Sequence, residues 1–228
     1  MRRLVVLPEV GSTNSWLKQQ ADFHRPFCGV RAVRQTQGRG RLTRSWHSDA
    51  AGEDLTCSFV LPIDPAARHM APLVTALVLY RVVKRYADVR IKWPNDLLFH
   101  GKKLAGILCE SIPEADNLII AGIGLNINSL EFPTEISEKT QSLALATGQK
   151  YSVQRIWFEI FRELTRVFRH AVFPLPAAFI AAYNAVAYRY VSRDEVSALP
   201  LEFKTLLPDG RAVFATAEGS EIILDMAG

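Results

Sequence analysis

Between residues 89 and 128 the chain reads VRIKWPNDLLF, KKLAGILCES and NLIIAGIGLNIN, three apolar runs set apart by a Pro-Asn-Asp turn and a His-Gly turn. Runs of this kind pack as strands, and no other part of the sequence narrows the fold so far. Within them Ala105, Gly106, Gly122 and Gly124 thin out the side-chain layer, so that something can approach the backbone closely. Upstream, residues 3–7 and 29–34 read as strands and 55–61 as a mostly apolar strand. Ser12 or Thr13 can cap a helix running to about Phe23. Over 66–86, Met70, Leu73, Val74, Leu77 and Val83 recur at helical spacing and face a sheet. Residues 152–171 and 176–188 read as helices, the first with Trp157, Ile160, Phe161, Leu164 and Phe168 on one face. Past residue 188 the pattern turns to β type around a Pro-Asp-Gly turn, which divides the chain into a main unit over 1–188 and a small β unit over 189–228.

Composition excludes several classes. With 228 residues, 49% of them hydrophobic, the chain can bury a sizeable core. Twenty-seven basic against 23 acidic residues leave a formal charge of only +4, which suits a local anion better than a polyanion. Cys28, Cys57 and Cys109 are odd in number and far apart, and the five histidines form no ligand-spaced cluster with them. Reduced thiols and no structural zinc follow. The apolar run in MRRLVVLPEV is too short for a signal peptide, and nothing approaches the ~20 apolar residues of a membrane span, so a cytoplasmic protein is expected.

The segment RQTQGRGRLTRSW, residues 34–46, sets Arg34, Arg39, Arg41 and Arg44 among Gly38 and Gly40 without an acidic residue. Glycines let backbone N–H groups converge on an anion, and guanidinium forks grip phosphate or carboxylate. A nucleic-acid arm, a loop closing over a phosphate-bearing small molecule and a solvated turn all fit the segment alone. Trp46 argues against the turn, because a large aromatic is usually buried against something. In KWPND, Asp96 leaves a rigid turn and on its own reads as a cap. Lys103 is followed directly by apolar residues that carry it toward the sheet face where Asp96 can also sit. A lysine and an aspartate beside an arginine-rich loop suit phosphoryl or nucleotidyl transfer, and there is no credible Ser-His-Asp arrangement.

Taken in order, GSTN, QTQGRGRLTRSW, KWPNDLLFHGKKLAGILCE and AGIGLNIN resemble the motifs of the biotin protein ligases, over roughly residues 9–128 and weakly beyond. The resemblance implies an α+β fold, with a mixed or antiparallel central sheet packed with helices in the class II synthetase-like manner of biotin and lipoate ligases. A small, shortened SH3-like C-terminal β module completes it. The implied enzyme joins biotin to ATP with Mg2+ as biotinyl-5′-AMP, releases pyrophosphate, and transfers biotin to a lysine of a biotin carboxyl carrier domain. By motif position Ser12, Thr13, Asn14 and Gln35 would bind the ring of biotin, with Gly38 and Arg39 supplying loop backbone and Gly106 lying beside it. Arg41 and Arg44 would face the phosphates and carboxylate, and Trp46 would cover the adenylate. Lys103 would bridge carboxylate and α-phosphate, Asp96 would favour the acceptor amine, and Asn126 would meet the purine. Lys103, Arg41 and Asp96 form the implied catalytic set.

Lipoate ligases and octanoyl transferases share the fold but typically lack the Gly-Arg-Gly-Arg and Lys-Trp-Pro-Asn-Asp pair. A noncatalytic biotin- or nucleic-acid-binding protein is the alternative of another class. Against it, the loop has no interleaved stacking aromatics, and Lys103 and Asp96 are intact. Three departures from the family shape further expectations. Leu42 and Thr43 stand where many relatives have Arg-Gly, which stiffens a loop whose glycines otherwise make it costly to order without a ligand. The sequence ends at DMAG, where relatives continue into a strand that contributes ATP contacts. GSTN begins at residue 11, leaving no room for the winged helix with which some relatives bind operator DNA, so no specific DNA binding is expected, while a homodimer stays open.

Overall fold

The computed structural model describes residues 3–41, 44–48, 52–113, 115–191 and 201–226. Leu42 and Thr43, expected to stiffen the loop, lie outside the described residues. Seven strands form the main sheet: β1 (Leu4–Val10), β2 (Gly29–Gln35), β3 (Leu55–Pro62), β4 (Val89–Lys92), β5 (Asp96–Phe99), β6 (Lys102–Ser111) and β7 (Leu118–Leu125). Their order is β1-β2-β3-β7-β6-β5-β4. The β1–β2 pair is parallel and every other neighbouring pair antiparallel, so the sheet is mixed, as expected.

Each face of this sheet carries its own core. On one face α2 (Ala71–Val83) and α5 (Val153–Phe168) pack on Phe59, Ile107 and Ile123. The periodicity read for α5 holds: Ile156, Trp157, Ile160, Leu164 and Phe168 are buried, and Phe161 stacks on Phe59 with centroids 5.7 Å apart. Ser152 caps that helix by accepting the Arg155 N–H at 3.2 Å. On the other face α1 (Thr13–Gln19) buries Leu17 against Val30, Val60 and Ile120.

The helices are shorter than their patterns imply, those expected over 152–171 and 176–188 spanning Val153–Phe168 and Ala177–Asn184. The apolar spacing over 66–86 becomes a 3-10 segment, Pro65–Met70, followed by α2. Pro72 explains the break, since it has no N–H to donate four residues back and is tolerated only in a helix's first turn, where α2 places it. Likewise α1 stops at Gln19, and residues up to Phe23 form a separate 3-10 turn.

Short helices α3 (Thr134–Ser137) and α4 (Leu143–Thr147) follow β7, and α6 (Ala177–Asn184) follows α5. Past α6 come β8 (Tyr190–Val191), β9 (Leu201–Leu206), β10 (Ala212–Ala215) and β11 (Glu221–Leu224), an antiparallel sheet in the order β11-β10-β9-β8. Phe203 and Phe214 of this sheet join the same buried cluster as α2 and α5, and Trp93 of the KWPND turn packs edge-on against Phe214 at 5.6 Å. No helix among the described residues is long and apolar enough to cross a membrane.

One buried carboxylate ties the start of β3 to the segment after β7. Asp54, 6% exposed, accepts the N–H groups of Ile127, Asn128 and Ser129 at 2.6, 3.1 and 3.3 Å and the Ser129 hydroxyl at 2.6 Å. Asp54→Ala would strand those buried donors, each costing about 1–3 kcal/mol when left unmet. The variant is expected to lose about 3 kcal/mol of unfolding free energy in urea titrations. A loss below about 1 kcal/mol would show that the segment reorganises without the carboxylate.

Candidate active site

Register places a floor without side chains at the centre of the α1 face. Asp96, Gly106, Gly124 and Thr56 stand in one row across β5, β6, β7 and β3, and Leu108, Gly122 and Ser58 in the next. What approaches the glycines is the protein itself. The Trp46 ring lies against Gly124 and Gly106, and the Asn14 carboxamide lies over Gly122, so that a Cβ at Gly122 or Gly124 would collide with them. The remaining cavity holds about 50 Å³ of free space, enough for a few waters, and a larger guest has to shift the indole.

Polar groups line the α1 end of the cavity. Gln35 Oε1 accepts the Thr13 N–H at 2.7 Å and the Thr13 hydroxyl at 3.0 Å. Ser58 Oγ lies 2.7 Å from Thr13 Oγ1 and 2.6 Å from Asn14 Oδ1. Ser12 caps α1 through the Ser15 N–H. Together these groups offer donors and acceptors at close range to a small polar ring.

At the opposite end Lys103 Nζ and Asp96 Oδ2 form an ion pair at 2.9 Å, with the lysine 39% and the aspartate 19% exposed. Both are held by backbone. The Lys103 N–H donates to the Lys139 carbonyl at 2.7 Å, and the Lys103 carbonyl accepts the Gln141 N–H at 2.9 Å. The turn before Asp96 is pinned to β6 by Asn95, whose side chain donates to the Ile107 carbonyl at 2.8 Å while its own carbonyl accepts the Ile107 N–H. The peptide between Trp93 and Pro94 in that turn is cis, a feature that sequence did not signal. Asp96 Oδ1 is buried without a protein partner, as is the indole Nε1 of Trp46.

In the arginine-glycine segment residues 38–40 pair with residues 44–46 as the two sides of a short hairpin. Trp46 N–H donates to the Gly38 carbonyl at 2.9 Å, Gly40 N–H to the Arg44 carbonyl at 2.7 Å, and Arg39 bridges Ser45 between them. Gly38 permits this because a Cβ there would meet the Trp46 carbonyl and the Gln35 amide. The hairpin roofs the cavity, with Arg39 on the α1 side and Arg41 reaching the Met226 carbonyl at 2.6 Å.

Most residues singled out in the sequence meet at this cavity: Ser12, Thr13, Asn14, Gln35, Arg39, Arg41, Trp46, Asp96, Lys103 and Gly106 line it. Three do not. Gly38 sits behind Trp46, and Arg44 is exposed on the outer strand of the hairpin. Asn126 is buried, donating from its side chain to the Gln141 carbonyl at 3.0 Å. Sequence reasoning overlooked Ser58, Asn95 and Glu110. The available signal was strand alternation, since Glu110 shares parity with Gly106 and Leu108.

The packing of Trp46 is testable by one methyl group. At Gly124 a Cβ meets only the indole among its nearest atoms, so Gly124→Ala should lift the ring and leave the sheet folded. We expect a red-shifted tryptophan emission and faster proteolysis between residues 38 and 46. Unchanged emission and cleavage would mean that the ring does not rest on this floor.

Known proteins resemble this chain in sequence and in fold. The Biotin/lipoate A/B protein ligase family model matches residues 8–128. The bifunctional ligase/repressor BirA of Bacillus spizizenii is 39% identical over 158 residues, which cover 65% of this chain and 48% of that protein. The biotin--[acetyl-CoA-carboxylase] ligase of Mycobacterium tuberculosis is 32% identical over 174 residues, covering 72% of this chain and 63% of that protein. The chain thus spans about half to somewhat under two thirds of these relatives' lengths. Among solved structures, a biotin protein ligase from Aquifex aeolicus in complex with biotin and ATP superposes with a TM-score of 0.80 at 27% identity, over 99% of this chain and 97% of that one. With its family model matched over more than half its length, the chain belongs to the biotin/lipoate A/B protein ligase family.

Proposed function

We propose that this protein is an ATP-dependent biotin protein ligase, which forms biotinyl-5′-AMP and passes the biotinyl group to a lysine of a biotin carboxyl carrier domain. The observation that carries the reading is the Lys103–Asp96 ion pair at one end of a glycine-floored cavity whose roof bears Arg39 and Arg41. Residues 1–188 carry the chemistry in this reading, and strands β8–β11 form the small β unit, with Phe214 packed on Trp93 of the KWPND turn. The names of the relatives and the Aquifex aeolicus complex support biotin and ATP as substrates.

The first step brings a carboxylate onto an α-phosphorus, two anions that repel. Lys103 stands where its ammonium can neutralise both, and stabilising charge that grows in the transition state is the largest contribution a site of this kind makes. The C–O–P bond forms as pyrophosphate leaves. Thr13, Asn14 and Gln35 hold the far end of the biotin ring, and the Arg39 and Arg41 guanidinium groups cover the acyl phosphate and keep water out. In the second step the neutral ε-amine of the acceptor attacks the acyl carbon, and the carbonyl–oxygen bond to phosphate breaks, with AMP leaving with the electron pair. Asp96 Oδ1, buried and without a protein partner, is the acceptor for the amine proton. Mg2+ would enter with the triphosphate, whose oxygens supply most of its ligands in sites of this kind.

Purified protein with biotin, MgATP and a carrier domain tests the reading through pyrophosphate release and a carrier mass gain of one biotinyl group. Release with lipoate or octanoate in place of biotin would favour the other branch of the family. Lys103→Ala should slow adenylate formation by about 3–4 kcal/mol of transition-state stabilisation, as for one lost oxyanion-type donor. Arg41→Gly should still form biotinyl-5′-AMP but let it escape, so that lysines of an added bystander protein become biotinylated. An active Lys103→Ala together with a faithful Arg41→Gly would remove both side chains from the phosphate.

A further inference from the structure

Glu110 takes no part in the chemistry above, yet it joins three elements. It lies on β6 in the row beyond Leu108, opposite Ile120, at the edge of the cavity floor, and its carboxylate is 16% exposed. From α1 it receives the Asn14 side-chain N–H at 2.7 Å and the Lys18 ammonium at 2.6 Å, two residues one turn apart. From the hairpin it receives Arg39, whose terminal nitrogen lies 3.1 and 3.2 Å from the two carboxylate oxygens and 3.0 Å from Ser15 Oγ.

The other end of Asn14 continues the chain of contacts inward. Its Oδ1 meets Ser58, Ser58 meets Thr13, and Thr13 donates twice to Gln35. A polar line therefore runs under the cavity from Gln35 to Glu110, and Arg39 hooks the roof onto its far end. Burial alone would raise the Glu110 pKa, but the hydrogen bonds from Lys18 and Asn14 and the charges of Lys18 and Arg39 outweigh it and hold the carboxyl below its ordinary value. An anion so held stays available to the arginine. Arg39 sits next to Gly38 and Gly40, where the chain has little stiffness of its own, so an anchor at this point limits how far the hairpin base can move.

We propose that Glu110 is a positioning residue for the roof: its carboxylate anchors the hairpin through Arg39, and retention of the acyl-adenylate beneath the roof depends on this pair. Retention rests on the ligase reading; anchoring does not. In the competing, purely structural role, Glu110 ties α1 to β6 through Asn14 and Lys18, and Arg39 is a bystander.

The test compares the full chain with Glu110→Gln, Lys18→Met, Arg39→Gln and the Glu110→Gln/Arg39→Gln double variant, by limited proteolysis of the hairpin and by thermal melting. Charged hydrogen bonds of this kind support an expectation of about tenfold faster cleavage between residues 38 and 46 in Glu110→Gln. The double variant should be cleaved no faster than Arg39→Gln alone, while Lys18→Met lowers the melting temperature without speeding cleavage. Should Glu110→Gln fail to fold, Glu110→Asp keeps the charge for α1 but shortens the reach to Arg39, and the same rates are read from it. Wild-type cleavage in the Glu110 variant, or additive effects in the double one, overturns the anchor whether or not the protein makes an adenylate. If the wild type releases pyrophosphate with biotin, escape of biotinyl-5′-AMP should quicken in parallel with cleavage. Escape at the wild-type rate overturns the retention half of the proposal, and a wild type that makes no adenylate overturns the ligase reading on which that half rests.

Discussion

A small area of bare backbone governs the geometry of this protein. Gly106, Gly122 and Gly124 fall in adjoining rows of β6 and β7, and the strand register that aligns them is fixed from the other side of the sheet. There Ile107 and Ile123, directly paired, sit in the core under α2 and α5. A slip of one residue would turn those isoleucines onto the cavity floor and bring glycines into the core, at a cost in buried apolar area on both faces. The hydrophobic packing of one face thus holds open the functional face of the other.

The cations on that face already have partners. Lys103 pairs with Asp96, Arg39 with Glu110, and Arg41 with the carbonyl of Met226. Under the proposed function an anionic substrate would exchange partners with groups already in place, so that little reorganisation is needed when charge develops. Two polar atoms are left over in the same cavity, the Asp96 Oδ1 acceptor and the Trp46 Nε1 donor. Folded proteins leave few such atoms buried and unmet. Under the proposed function the first has a use in proton transfer, and the second becomes free to pair once a substrate lifts the indole from its glycines.

Much of this was legible in the chain. The β6 and β7 runs show as apolar stretches with small residues in fixed places, and the sequence puts Lys103 and Asp96 on one face of the sheet, although not as an ion pair. Other features depend on which element neighbours which. Glu110 has the parity of Gly106, but only the placement of α1 across β3 and β7 brings Asn14 and Lys18 to it. The Asn126 amide also donates to the Gln141 carbonyl, a partner set by the fold of residues 129–142 and not visible in the motif that contains it. Asp54 shows nothing in its sequence context, because its donors, three backbone N–H groups and the Ser129 hydroxyl, lie more than 70 residues away. The α2 start was misread by periodicity and was recoverable from Pro72.

The division of the chain near residue 188 also changes meaning in three dimensions. It separates two sheets, but Phe203 and Phe214 of the second share a core with α2, α5 and α6. Aromatic rings continue from Trp93 to Phe214 to Phe203 to Tyr183, each pair 5.6–6.4 Å apart. Trp93 stands three residues before Asp96, so packing of the small sheet bears on the turn that aims the carboxylate. Burial raises the Tyr183 hydroxyl pKa well above its ordinary value, with the charge of Asp96 adding to it. Arg41 closes the circuit from above by bonding the backbone at Met226. The C-terminal unit thus reaches the surroundings of the cavity twice, through Phe214 against Trp93 of the turn before Asp96 and through the Met226 carbonyl under Arg41 of the roof.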